Sequence, residues 1–282
     1  MSSKRIQILS DLHLETPAAY DIFEITPKTP FLALLDDIGY VQDDGFLSFL
    51  RNQLPVFKVV FLLGNHEPYH STWDEARSRI KRFSEDVAKS THDGKPLGKL
   101  VFLNQTRYDI SDTETILGCT LFSRVTEDQK DYVSFGLNDF YRIDGWSVED
   151  HNEAHRSGLE WLNRQVESIS HLEPGRKIMI FTHHSPVTHE NAVDPKHATS
   201  NKSSSFMSDL SGEECWKSKS VRLWAFGHTH FNCDYKDELS GNRVVTNQRS
   251  YYFAQSAGFD GKRLFSLIMN EKATRSRTTI GM

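Results

Sequence analysis

The sequence of 282 residues contains 38% hydrophobic, 25% charged and 11% aromatic residues, which supplies a large core and excludes a disordered chain. Its net charge of −5, with 33 Lys and Arg against 38 Asp and Glu, argues against duplex nucleic acid as the main partner, because nucleic-acid phosphates select for a basic surface. The three cysteines (Cys119, Cys215 and Cys233) show no repeated spacing, which argues against a disulfide framework.

The N-terminal segment is short and polar, and no apolar run reaches the length of a signal-peptide core or a membrane span. These features predict a cytoplasmic protein without a membrane partner. The length and the absence of an evident boundary predict a single domain over residues 1–282. The sequence carries no signal for the oligomeric state.

Short apolar runs with β-branched or aromatic residues recur along the chain and are typical of strands. The predicted strands cover residues 6–9, 31–35, 56–63, 100–103, 115–118, 177–181, 221–226 and 263–269. A turn signal at Ser240-Gly241-Asn242 predicts a hairpin between residues 231–239 and 243–246.

Apolar residues spaced three and four apart predict two helices, one from Trp73 to Val87 and one from Val148 to Ile169. Ser147 with Asp150 is a start signal for the second helix. A weaker pattern at residues 46–50 predicts a third helix. Strands mixed with few helices indicate a layered α/β protein. The polar, Ser-rich residues 185–205 are interpreted either as a lid or substrate loop or as an unstructured surface segment.

Five predicted strands end in residues that bind metals. These ends are Ser10-Asp11-Leu12-His13, Asp36-Asp37, Gly64-Asn65-His66-Glu67, Thr182-His183-His184-Ser185-Pro186 and Gly227-His228-Thr229-His230. Carboxyl ends of strands form the ligand crevices of α/β sheets. Residues two apart share a face of an extended chain, so Asp11 with His13, and His228 with His230, can each point at one site if the local backbone stays extended. Each motif alone is weak, but together they predict a metal centre.

In this order the motifs resemble the calcineurin-like metallophosphoesterase superfamily, and the resemblance spans residues 11 to 230. It implies an α/β fold with four α-β-β-α layers, in which two facing mixed β-sheets are flanked by helices. It also implies two metal ions that share one carboxylate. It assigns Asp11, His13, Asp37 and His230 to the first ion, and Asp37, Asn65, His184 and His228 to the second. The implied catalytic residues are His66 and Asp37, and the implied substrate-binding residues are Asn65, His66 and His183.

The resemblance further implies a hydrolase of small phosphate monoesters or diesters that uses metal-activated hydroxide. Two cations clamp a phosphoryl group and neutralise its charge, and carboxylate, imidazole and amide donors suit manganese, iron or zinc. The alternative is a metal-binding scaffold or interaction protein with a weakened catalytic site.

Three points stay open at this level. Either His183 or His184 can be the ligand, and the His-x-Pro pattern of the family favours His184. Asp36 stands where the family usually has glycine, so it is either a tolerated variant or a residue that alters metal affinity. Asn138-Asp139-Phe140, which precedes the long helix, is a further candidate to reach over the site.

Overall fold

The structure, a computed structural model, describes residues 4–92, 94–197 and 199–267. The strands are β1 Ile6–Ser10, β2 Phe31–Leu35, β3 Lys58–Leu62, β4 Thr91–His92, β5 Lys95–Pro96, β6 Leu100–Phe102, β7 Thr106–Asp109, β8 Glu114–Cys119, β9 Lys177–Thr182, β10 Val221–Ala225, β11 Asp234–Lys236, β12 Arg243–Val245 and β13 Leu264–Phe265. The α-helices are α1 Asp44–Gln53, α2 Trp73–Lys89, α3 Lys130–Gly136, α4 Asp139–Arg142, α5 Val148–Leu172 and α6 Glu214–Lys217.

The strands form two mixed sheets and one small hairpin of β4 with β5. The first sheet has the order β13-β1-β2-β3-β6, and the second has the order β11-β12-β10-β9-β8-β7. The central strands of each sheet are parallel, whereas β13, β11 and β7 join antiparallel at the edges. The predicted strands and the hairpin of β11 with β12 are confirmed with shifted ends; residues 268–269 of the last prediction lie outside the described residues.

Alternating side chains in the strands build the layers. Ile6 and Ile8 of β1 belong to the core between the two sheets, together with Met179 and Phe181 of β9. Leu9 turns to the opposite face and packs into the core beneath α1 and α2. A third core lies between the second sheet and helices α5 and α6. The predicted four-layer α-β-β-α sandwich is therefore confirmed.

The two predicted long helices begin at capping boxes, in which a side chain and a backbone N–H satisfy each other reciprocally. Thr72 pairs with Glu75 at the start of α2, and Ser147 pairs with Asp150 at the start of α5. Among the described residues, no helix has both the length and the apolar character needed to cross a membrane. Cys119, Cys215 and Cys233 are buried free thiols.

Candidate metal centre

The carboxyl ends of β1, β2, β3, β9 and β10 meet at one edge of the sandwich. The structure brings to this edge every site residue that the sequence predicts, namely Asp11, His13, Asp37, Asn65, His66, His183, His184, His228 and His230. All of these residues except His230 are at most 9% exposed. The edge is therefore a buried concentration of carboxylate, imidazole and amide groups.

The backbone at this edge is not extended, contrary to the expectation for the Asp-x-His and His-x-His pairs. Asp11, His13, His228 and His230 have φ of 51°, 45°, 68° and 51°, in the left-handed region that non-glycine residues adopt at a cost. His228 and His230 consequently enter two different clusters of donors. The extended backbone on which the expectation depended is absent at His228 and His230, because the strand ends at Ala225, before the motif begins.

The first cluster contains Asp11, His13 and His230, whose ligand atoms lie within 4.8 Å of one another. His13 Nε2 lies 3.0 Å from His230 Nε2, which in turn lies 3.4 Å from Asp11 Oδ1. The second ring nitrogen of each histidine, Nδ1, has a hydrogen-bond partner outside the cluster. His13 Nδ1 lies 3.2 Å from Glu15 Oε1, and His230 Nδ1 lies 2.9 Å from Ser250 Oγ. Such outer contacts set which nitrogen of a ligand histidine faces the ion.

The second cluster contains His183, His184 and His228, again with ligand atoms within 4.8 Å. His183 Nε2 lies 2.7 Å from Asn65 Oδ1 and 3.9 Å from Asp37 Oδ2. Burial, together with the charges of Glu67 and Asp11, holds the pKa of Asp37 well above its usual value. Asp37 thus stands close to both clusters, and a positive ion there would relieve its desolvation.

The two adjacent histidines differ in their surroundings. His183 contacts Asn65 on one side, and its Nδ1 lies 2.9 Å from Asp36 Oδ1 on the other, at an angle that does not make a hydrogen bond. The His184 ring packs instead against Phe122 and His151, with ring centroids 5.6 Å and 5.3 Å apart. His183 therefore has the contacts to the facing sheet, whereas both ring nitrogens of His184 are buried without a hydrogen-bond partner.

Asp36 fits the glycine position of the family at a backbone cost. Its φ is 73°, a conformation that glycine adopts freely and Asp tolerates. The carboxylate is fully buried and faces His183, while Gly227 leaves space for it, since a Cβ there would overlap Asp36 Oδ1. The structure thus gives this carboxylate a contact that glycine would remove.

The residues present fit bound metal ions. Among the described residues, Asp11 Oδ2, both ring nitrogens of His184 and His228 Nε2 are buried without a hydrogen-bond partner, a costly state unless an ion or water satisfies them. Burial lowers the pKa of His13 to about 4 and that of His228 to about 3. These imidazoles are therefore neutral near pH 7, which is the form that binds metals.

Asp139 at the start of α4 is a site residue that the sequence suggested only as part of a candidate segment. Asn65 Nδ2 donates to Asp139 Oδ1 at 2.7 Å, and Tyr69 Oη donates to the same oxygen at 2.6 Å. These bonds turn the amide so that Asn65 Oδ1 faces His183. Asp139 therefore orients a predicted ligand from behind.

Glu15 was missed by the sequence reasoning, although it follows His13 by two residues. Its Oε1 lies 3.0 Å from His66 Nδ1 as well as 3.2 Å from His13 Nδ1. The His66 backbone N–H donates to Asp37 Oδ1 at 2.9 Å, and His66 Nε2 lies 3.4 Å from Tyr251 Oη. The contact with Glu15 thus fixes His66 Nδ1, while the His66 ring lines the cavity at the site.

Glu67 ties the loops after β2 and β3 together. Its carboxylate accepts the backbone N–H groups of Asp37, Ile38 and Gly64 at 3.1, 2.8 and 2.7 Å. The absence of a side chain at Gly64 leaves room for Asp37 Oδ1, which a Cβ would overlap. In the Gly64-Asn65-His66-Glu67 motif, the first and last residues therefore hold the adjoining loop and leave room for Asp37.

Comparisons with known proteins agree with this fold. The model of the family described as calcineurin-like phosphoesterase matches residues 4–232. An uncharacterized protein of Acanthamoeba polyphaga mimivirus is 25% identical over 276 residues, which covers 87% of this chain and 91% of that protein.

Two solved structures share the fold. A phosphopantetheinyl hydrolase from Mycobacterium tuberculosis matches with a TM-score of 0.61 and 14% identity, over 88% of this chain and 90% of that one. A dimetal phosphatase from Danio rerio matches with a TM-score of 0.52 and 14% identity, over 87% of each chain.

Proposed function

The chain belongs to the calcineurin-like phosphoesterase family, and on this premise we propose that it hydrolyses small phosphate esters with two metal ions. The observation that carries the proposal is the convergence of two sets of donor atoms at one edge, with Asp37 3.9 Å from His183 of one set and close enough to Asp11 of the other for that charge to raise its pKa. A dimetal phosphatase among the proteins of the same fold supports it.

The proposed ligands follow the contacts at the edge. Asp11, His13, Asp37 and His230 would hold the first ion, and Asp37, Asn65, His183 and His228 would hold the second. Asp37 would be the shared carboxylate. Carboxylate, imidazole and amide donors suit manganese, iron or zinc.

The protein's own residues would then orient the reaction. Bound ions supply charge neutralisation at the phosphoryl group and lower the pKa of a water molecule to about 7. His66, held at Nδ1 by Glu15, is placed to give a proton to the leaving oxygen through Nε2. Asp139 keeps the Asn65 oxygen turned towards the second cluster.

The proposed function predicts metal content and turnover together. Protein stripped with a chelator and reloaded with manganese, iron or zinc is expected to bind two ions per chain and to hydrolyse p-nitrophenyl phosphate or bis(p-nitrophenyl) phosphate. Mass spectrometry of the metal and release of nitrophenolate measure the two quantities. Two bound ions without turnover of any monoester or diester would favour the scaffold alternative, and no bound ions would contradict both functions.

The choice of His183 as a ligand is tested by a matched pair of variants. His183→Asn is expected to lower the affinity for one of the two ions by at least about 100-fold. Loss of a residue that merely hydrogen-bonds to a ligand already lowers metal affinity by about 10- to 100-fold, and loss of the ligand itself should cost at least as much. His184→Asn is expected to keep both ions and to lower the unfolding temperature, because its ring packs against Phe122 and His151. The reverse result in metal titrations would restore His184 as the ligand.

A further inference from the structure

Residues 185–197 and 199–207 form a loop beside the proposed site, because several of them line the cavities there, and hydrogen bonds join the two ends of the loop. Ser185 N donates to Phe206 O at 3.1 Å, and Ser208 N donates to Ser185 O at 3.0 Å. Between these bonds the segment forms three short 3₁₀ turns, at Glu190–Ala192, Pro195–His197 and Ser203–Ser205. The loop therefore closes on itself, as compact functional loops do, and presents its later residues to the site.

Lys202 is the cation that this loop brings to the site. It lines a cavity of about 190 Å³ together with Asp37, Asn65, His66 and His228. Its Nζ donates to Gly136 O at 3.2 Å. A Cβ on Gly136 would lie 2.7 Å from Lys202 Cδ, so the glycine at the end of α3 makes room for the lysine stem.

Among the described residues, the Lys202 ammonium group forms no salt bridge, and Nζ donates only to the neutral carbonyl of Gly136. A lysine ammonium binds phosphate oxygens as a compact, strongly hydrated point charge. A phosphate anion competes well with this carbonyl for the ammonium group, because it adds Coulomb attraction between opposite charges to the hydrogen bond. Lys202 is therefore available to an anion that enters the cavity.

A second, larger cavity offers space for the alcohol part of a phosphate ester. It has a volume of about 660 Å³ and shares His228, His230, Phe206 and Tyr251 with the smaller one. The smaller cavity has space for a phosphoryl group, while the larger has space for an organic alcohol of drug-like size. An ester bound in this way would place its phosphate next to Lys202.

We propose that Lys202 contacts a non-bridging oxygen of the substrate phosphate and thereby makes the site favour phosphate monoesters over diesters. The inference rests on the proposed function. A monoester dianion carries a second negative charge that a diester lacks, and the Coulomb energy with a fixed cation grows in proportion to that charge. The lysine should therefore matter more for the monoester.

The test compares metal-loaded wild-type protein with Lys202→Met, which keeps the stem and removes the charge. We expect kcat/KM for p-nitrophenyl phosphate to fall about 30-fold, within the range of a charge-assisted hydrogen bond. That for bis(p-nitrophenyl) phosphate should fall about fivefold, because half the charge gives half the interaction energy. Metal content should be unchanged, and Lys202→Arg should recover most of the monoester activity. Lys219→Met is the matched control, because Lys219 Nζ also donates to a backbone carbonyl, Ser240 O at 2.8 Å, away from the site.

Equal losses for the two esters, or no loss, would overturn the proposal, as would a wild-type protein that prefers the diester. If wild-type protein hydrolyses neither ester, the proposed function fails, and calorimetric titration with inorganic phosphate still decides the role of Lys202. In that case a phosphate Kd that rises about tenfold or more in Lys202→Met supports the contact, and an unchanged Kd rejects it.

Discussion

Asp37→Asn is expected to remove metal binding and phosphoesterase turnover together, with a loss of activity of about 10³-fold or more. The substitution keeps the shape of the side chain and an oxygen that can accept the His66 backbone N–H. It removes the one charge that we place between both ions, and charge stabilisation by metal ions contributes several kcal/mol, with each 1.36 kcal/mol worth tenfold in rate. Metal titration and turnover of p-nitrophenyl phosphate measure the two losses.

The metal-free Asp37→Asn protein should be at least as stable as metal-free wild type at neutral pH. Burial and the charges of Glu67 and Asp11 raise the pKa of Asp37 in the folded state. The ionised carboxylate therefore destabilises the folded protein as pH rises above the pKa that Asp37 has in the unfolded chain. A neutral amide removes this destabilisation. An unfolding temperature well below that of wild type would mean that the lost activity reflects misfolding.

Asp36→Asn is the matched control for Asp37→Asn, because the two carboxylates are adjacent and both buried. Asp36 contacts His183 from behind, so we expect affinity for one ion to fall about 10- to 100-fold and activity to return with excess metal. An inactive Asp36→Asn beside a working Asp37→Asn would make Asp36 the shared carboxylate.

His66→Ala is expected to keep both ions and to lower turnover by about 10² to 10⁴-fold, the usual contribution of a positioned general acid or base. The ring lines the cavity at the site, with Nδ1 held by Glu15 and Nε2 near Tyr251. Metal analysis and kcat, measured on the same preparation, separate the two roles.

His171→Ala in the last turn of α5 is the control for His66→Ala, because that histidine is exposed and lies outside the site. The alternative role for His66 is that of a metal ligand together with His13 and Glu15, because the ligand atoms of these three residues also lie within 4.8 Å of one another. If metal content in His66→Ala falls as far as in His228→Ala, His66 binds an ion and does not act on the substrate.

Local pattern was sufficient to predict the main elements. Trp73–Lys89 and Val148–Leu172 have apolar residues at helical spacing and capping boxes at their first turns, so their signals lie within one segment. Thr106–Asp109, by contrast, is a polar edge strand with partly exposed side chains, and it was not predicted. Such a strand exists because β8 offers it backbone partners, which its own residues do not reveal.

The choice between His183 and His184 depends on contacts that local pattern does not contain. The two residues are adjacent after β9, and each ring lies 4.4 Å from the ring of His228. The contacts to Asn65 and Asp36 that single out His183 come from loops of the other sheet. A short motif carries no information about which way the facing sheet presents its loops.

The sequence by itself determined the family, the layered α/β class and the five donor-bearing strand ends, because periodicity and motif order are properties of the chain. The tertiary structure alone decided the left-handed backbone at Asp11 and His228, the separation of the donors into two clusters, and the approach of Glu15, Asp139 and Lys202 to the site. The physical reason is that these features depend on contacts between segments far apart in the chain. Burial then shields the donor groups from bulk solvent, which no single segment can do alone.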